Sequence, residues 1–321
     1  MLSQTRLKRL PIFVAVGLFI SVFTVSCSKD DDVNAPADDT ITGKVSANPN
    51  FSLLEKAVVK AGLGPTLSGT GPFTVFAPDD AAFTASGYTS ANIDATSAGD
   101  LEKLLLYHTL AAKVLAADVP AGPNAKVETA NSPSDSIFVT KNAAGVFVNG
   151  TKVKTADVSA SNGVIHVMEK VLVPPSGNIV ATAQAATGGD NGLDSLVAAI
   201  VRLDAATPGL ITLLNSNTLT VFAPTNKAFS DLLTALSLPN INSIPQATLS
   251  AVLSYHVVGG RAFSSDLTDG PLTMFGGGNT TVSLTGPTIK GNSNTTASNI
   301  IAANIMATNG VVHLIDQVLL P

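Results

Sequence analysis

Phe73-Thr-Val-Phe-Ala-Pro-Asp-Asp-Ala-Ala-Phe83 and Leu219-Thr-Val-Phe-Ala-Pro-Thr-Asn-Lys-Ala-Phe229 are one phrase written twice. Each opens on a short β-rich run, Phe73 to Phe76 and Leu219 to Phe222, and closes it with Ala-Pro, where proline cannot extend a ladder. Outward from this phrase, Leu101-Glu-Lys-Leu-Leu-Leu-Tyr-His108 recurs as Leu249-Ser-Ala-Val-Leu-Ser-Tyr-His256. Asn162-Gly-Val-Ile-His-Val-Met-Glu-Lys-Val-Leu-Val-Pro174 recurs as Asn309-Gly-Val-Val-His-Leu-Ile-Asp-Gln-Val-Leu-Leu-Pro321. The offsets are 146, 148 and 147 residues. A period so long and so constant means a duplicated domain, since solenoid repeats run roughly 20–50 residues.

The spacing of apolar residues assigns elements to these blocks. Leu101, Leu104, Leu105 and His108 fall at i, i+3, i+4 and i+7, one face of a helix, and Leu249, Val252, Leu253 and His256 repeat the pattern. Pro245 suits the first turn of the second helix. Asn162-Gly163 and Asn309-Gly310 read as hairpin turns, each followed by an apolar run that reads as a buried strand. The copies join at Pro174-Pro175-Ser176-Gly177, a short, stiff joint that predicts a preferred angle between them.

A TVFAP-type strand, a Leu-rich helix ending in Tyr-His and a terminal NGxxHxxxxVLxP strand resemble the fasciclin (FAS1) family, over 41–175 and 178–321. The resemblance implies an α+β fold: two tandem FAS1-like domains, each a wedge of β-sheets with several helices packed along one side. In animal members a Tyr-His motif is linked to integrin recognition. The matching residues here are Tyr107, His108, Tyr255 and His256, so the resemblance implies a partner-contact surface there without identifying the partner. Both tyrosines lie one step off the apolar stripe and are expected to stay partly exposed.

Composition removes several classes of function. Aromatic residues make up 5% of the chain, with no Trp and three Tyr, which argues against a stacking surface for sugars or bases. Net charge is −5 and no basic run follows the first ten residues, so no nucleic-acid partner is expected. The single Cys leaves no internal disulfide and no multi-Cys zinc site. All four histidines sit at matched positions, His108 with His256 and His166 with His313, without local metal-ligand spacing. His166 and His313 stand in buried-strand patterns and are expected to be structural, hydrogen-bonded through their rings. Asp79-Asp80 suggests a carboxylate dyad, yet the other copy has Thr225-Asn226 there. With no GxSxG elbow, P-loop or GxGxxG fingerprint, no catalytic residue, metal or cofactor is expected.

The start of the chain is an address. Arg6, Lys8 and Arg9 precede the apolar stretch Leu10–Val25, which is shorter than the ~20 residues of a membrane span. Thr24-Val25-Ser26-Cys27 then resembles a lipobox, which implies cleavage before an acylated Cys27; a plain secretory signal or an uncleaved anchor are the alternatives. Residues 28–40, SKDDDVNAPADDT, carry five Asp and read as an acidic tether. Their start resembles that of Bacteroidetes surface lipoproteins. Losing Arg6, Lys8 and Arg9 would take the charge from −5 to −8. The expected protein is a lipid-anchored envelope module, in the outer membrane and exposed at the surface. It would be held by its acyl chains and bind an unknown protein or polysaccharide in adhesion or matrix contact. The alternative is an accessory protein for a glycan or small ligand; a hydrolase would need a hidden His-Asp-Ser geometry.

Overall fold

A computed structural model describes residues 38–131 and 135–321. The leader, Cys27 and most of the acidic tether lie outside the described residues. Domain 1 begins with three helices, α1 (Ile41–Ser46), α2 (Ser52–Ala61) and α3 (Gly64–Leu67), followed by strand β1 (Phe73–Pro78). Helices α4 (Asp80–Ala85), α5 (Ser90–Ala95) and α6 (Ala98–Tyr107) come next. The domain ends in β2 (Thr109–Leu110), β3 (Gly122–Glu128), β4 (Ser136–Asn142), β5 (Gly145–Val148), β6 (Thr151–Ala160) and β7 (Gly163–Met168). Domain 2 repeats the order with α7 (Ile179–Ala185), α8 (Asp194–Ala206), α9 (Leu210–Ser216), β8 (Leu219–Pro224), α10 (Asn226–Ala235) and α11 (Gln246–Ser254). It closes with β9 (Val257–Gly259), β10 (Gly270–Thr273), β11 (Asn279–Ser283), β12 (Thr288–Lys290), β13 (Ser298–Ala307) and β14 (Gly310–Ile315).

Small polar residues start many of these helices. Thr40, Asp79, Thr89, Ser97, Asn178 and Thr225 each accept a hydrogen bond from a first-turn N–H, satisfying a donor the helix itself cannot. Pro245 stands just ahead of α11 rather than inside its first turn.

The seven strands of domain 1 run in the order β2-β1-β7-β6-β5-β4-β3, and domain 2 matches with β9-β8-β14-β13-β12-β11-β10. Only β1 with β7, and β8 with β14, pair in parallel among the described strands. Strand β6 makes the wedge. Its residues 151–152 pair with β5, its residues 153–160 pair with β7, and two register breaks within the β7-paired stretch, between Val153 and Val158, bend it. Strand β13 is broken in the same way. Helices cover one face of the sheet around Leu54, Leu101, Leu105 and Ile165; Phe76, Ile137, Val148 and Met168 fill the space within the wedge. With both faces covered, β7 and β14 are buried along nearly their whole length, which is why each reads as an unbroken apolar run.

The Asn-Gly pairs do something other than turn the chain. The hairpins close through Ser161-Asn162 and Thr308-Asn309, while Gly163 and Gly310 are already strand residues paired with Ala160 and Ala307. The Asn162 side chain accepts from the Ile41 N–H at 2.9 Å and donates to the carbonyls of Leu67 and Gly69, both at 2.8 Å. Asn309 repeats this with Ile179, Leu214 and Asn217. Each asparagine thereby ties the first helix of its domain to the third.

A seam joins the domains directly. The Arg261 guanidinium lies 4.1 Å over the Phe138 ring while donating to the carbonyls of Gly310 at 2.6 Å and Ala307 at 3.2 Å. Asn124 donates to the Arg261 carbonyl, Thr140 to the Asp266 carboxylate, Asn142 to the Ser265 carbonyl, and Asn304 back to the Gly150 carbonyl. Phe263, wholly buried, packs beside Phe138. These contacts hold the two domains together directly. Phe138→Ala is expected to cost roughly 2 kcal/mol of coupling through the lost cation–π and ring contacts and to split one calorimetric transition into two. A single unshifted transition would count against the seam.

Candidate functional site

The candidates are the Tyr-His ends of α6 and α11 and the histidines of β7 and β14. Tyr107 and Tyr255 are not partly exposed: they are 0% and 2% exposed, and the adjoining His108 and His256 are 2% and 1%. A single-stripe reading of the helix misses the reason. The last turn of α6 enters the wedge, so His108 meets the helical layer while Tyr107 points into the cluster under β4 and β5. The Tyr107 hydroxyl accepts from Asn149 Nδ2 at 2.9 Å and donates to the Ser136 carbonyl at 3.3 Å. That of Tyr255 donates to the Asn279 carbonyl and accepts from the Asn292 N–H. Burial pushes the Tyr107 phenol up to about 12. All four side chains of the two pairs are thus buried within their own domains.

Each histidine is a two-ended clamp. His108 Nδ1 donates to the Leu104 carbonyl at 2.8 Å and Nε2 accepts from the Leu172 N–H at 2.8 Å. His256 does the same with Val252 and Leu319. Both therefore tie the end of their helix to the chain just past the last strand. His166 uses the other tautomer: Nε2 donates to the Val114 carbonyl at 2.9 Å and Nδ1 accepts from the Asp157 N–H at 3.2 Å. His313 does so with Ala262 and Asn304. Their rings stack on Phe76 and Phe222 at 5.4 and 5.2 Å. Burial pushes His108, His256 and His313 down to about 4, against one carbonyl hydrogen bond each and, at His313, the nearby Asp266 charge, all of which favour the charged form.

This geometry leaves little chemistry. Asp157 Oδ1 is 3.9 Å from His166 Nδ1, but that nitrogen already accepts the Asp157 N–H, and the carboxylate accepts from the Ala116 N–H. No histidine among the described residues has a nitrogen free to move a proton. The Asp79-Asp80 pair is structural too. Burial would raise the Asp79 carboxyl, yet Lys154 at 2.6 Å and the Ala82 N–H hold it below its usual range. Asp80 accepts from Ser52 Oγ and the Leu53 N–H. No cluster of three or more His, Cys, Asp or Glu among the described residues could hold a metal ion. Sequence reasoning missed the seam residues Phe138, Arg261, Asp266 and Asn304. Arg261 was its one visible signal, an arginine where domain 1 has Lys113, since only the planar guanidinium stacks on a ring while bonding along its edge.

The fasciclin domain family matches the chain twice, over residues 49–174 and 196–321. The chain belongs to the fasciclin family. Among its relatives, Protein sll1483 of Synechocystis is 39% identical over 138 residues, 42% of this chain and 74% of that protein. Transforming growth factor-beta-induced protein ig-h3 of Oryctolagus cuniculus is 29% identical over 276 residues, 81% of this chain and 36% of that protein, so the chain spans well under half of the animal relative. A solved FAS1 domain pair from the insect cell adhesion molecule Fasciclin I is similar at 19% identity and a TM-score of 0.38, over 86% of this chain and 98% of that one.

Proposed function

We propose that this chain is a lipid-anchored adhesion module of the bacterial cell envelope, exposed at the outer membrane. Cys27 carries the acyl chains, residues 28–40 form the tether, and the domain pair holds a protein or polysaccharide at the cell surface without turning it over. One observation carries the reading: every histidine is consumed as an internal clamp while the seam fixes two outer surfaces at a set spacing. Membership of the fasciclin family supports it. Residues 38–321 are to be screened on immobilised matrix polymers and on whole cells. Saturable binding that leaves the polymer intact supports the proposal; cleavage of the polymer, or a folded protein that captures nothing, overturns it. In cells, Cys27→Ala is expected to move the protein from the membrane fraction to the soluble one, and undiminished membrane retention would remove the anchor from the proposal.

A second reading, an accessory protein for a glycan or small polar ligand, is favoured by an open cleft of about 680 Å³ in domain 2. Asn191, Lys227, Asp231, Thr295 and Gln317 stand on its walls beside Leu232 and Ile301. Its lining has no aromatic platform, so hydrogen bonds would have to supply the recognition. A glycan array probed with Asp231→Ala beside the parent separates this reading from the first.

A further inference from the structure

Both domains hold an apolar pocket at the same place, walled by their first three helices, their first strand and the end of the Tyr-His helix. In domain 1 it measures about 50 Å³ and in domain 2 about 90 Å³. The two copies serve as each other's control, because the asparagine clamps fix their alignment: Ile41 matches Ile179 and Leu67 matches Leu214. Val45 on the domain 1 wall becomes Ala183, which widens the space, and Thr42 at the mouth becomes Val180, which removes a hydroxyl. Helix α9 has 7 residues where α3 has 4, bringing Leu210 and Leu213 to the rim. Finally, Phe275 and Ala130 are equivalent, each donating its N–H at 2.7 Å to a carbonyl of the strand after the Tyr-His helix. Phe275 therefore puts a ring at the mouth, 53% exposed, where domain 1 has a methyl group.

Every one of these differences makes the domain 2 pocket larger or less polar. The polar side chains that remain are occupied: His256 by Val252 and Leu319, and the Ser254 hydroxyl by the Ala251 carbonyl. A ligand with a hydrogen-bonding group inside would leave that group unpaired, at a cost that excludes it. A dry apolar cavity of roughly 150 Å³ accommodates a benzene ring; this one is smaller and open at one end, which suits the end of a chain rather than a ring. We propose that domain 2 binds one unbranched alkyl chain, its end under Val180 and Ala183, its length covered by Phe275 and its headgroup left in water. A dissolved amphiphile and a bilayer lipid both present this chemistry.

The chain has no Trp, so Phe275→Trp places a single indole at the mouth of the pocket of residues 38–321, which form one compact unit. Emission is to be followed with ω-bromododecanoate below its micelle concentration and, separately, with vesicles of chain-brominated phosphatidylcholine. Saturable quenching is expected, relieved by unbrominated dodecanoate. The additional pair V180T/A183V restores the residues domain 1 carries in the same fold. It should weaken binding by at least about tenfold, the affinity that burying roughly two methylenes supplies. Quenching by the dissolved acid identifies a free amphiphile as the source, and quenching by vesicles alone identifies bilayer lipid. No quenching in either arm, quenching that dodecanoate does not relieve, or equal quenching in a folded V180T/A183V variant overturns the proposal.

Discussion

Acidification from pH 7 to 4 is expected to destabilise both domains through their buried histidines. His256 and His313 of domain 2, and His108 of domain 1, are held neutral by burial, with folded values near 4 against 6.5 for the free ring. The unfolded chain therefore binds more protons than the folded one between these values. The stability this represents is fully present above about pH 6.5, falls as the pH drops, and levels off below about 4. Each histidine contributes about 3 kcal/mol across the window, an order-of-magnitude figure from the shift. Protonation would also break a specific bond, because the ring nitrogen that accepts from Leu172, Leu319 or Asn304 would then carry a proton of its own. The lowered carboxyls of Asp79, Asp194 and Asp204 act below this range, since their stabilisation is lost only as the pH falls through their folded values. Hydrogen exchange followed domain by domain between pH 7 and 4 measures the effect. No loss of stability in either domain above pH 4.5 would show that these rings are not held neutral.

The duplication and the fold class were legible because they rest on long-range regularity. Three blocks at a constant offset, a 3.6-residue stripe in α6 and α11, and apolar runs in β7 and β14 survive in any context that keeps one core per copy. What stayed hidden depends on which layer a side chain meets after the chain turns. Tyr107 reads as a surface residue by its angle on the helix, yet it is covered because a second sheet leaf closes over the helix end. The seam was hidden for a related reason: Phe138 lies in an antiparallel strand where an exposed position and a docked one alternate identically. The bulges that set Asp157 and Asn304 at positive φ leave no glycine as a marker, since Asp and Asn tolerate that conformation themselves. Among the candidate residues, the matched histidines gave the clearest signal, and their pairing with backbone N–H and carbonyl groups follows from the cost of burying an imidazole unpaired.

Gly163→Ala is expected to abolish cooperative folding of domain 1, and Gly310→Ala that of domain 2. Neither glycine is needed for a left-handed turn. A Cβ at Gly163 would stand 2.1 Å from the Phe73 carbonyl oxygen and 3.0 Å from Ile41 Cδ1; at Gly310 it would stand 2.0 Å from the Leu219 oxygen and 2.5 Å from Ile179 Cδ1. The clashing oxygens belong to β1 and β8, strands paired in parallel with β7 and β14, so relief would require the central pair to separate. That places the cost above the ~4–5 kcal/mol at which single substitutions become exceptional. Asn162→Ala should be milder, roughly 2–3 kcal/mol, because it strands the Ile41 N–H and two carbonyls without forcing strands apart. Gly99→Ala supplies the opposite sign. Gly99 lies in α6 with open space around it, and added helix propensity there should stabilise by roughly 0.5–1 kcal/mol. Thermal melts of the four variants check the set. If Gly163→Ala folds with a melting temperature near that of Asn162→Ala, the close approach of β7 to β1 is not what the Asn-Gly motif serves.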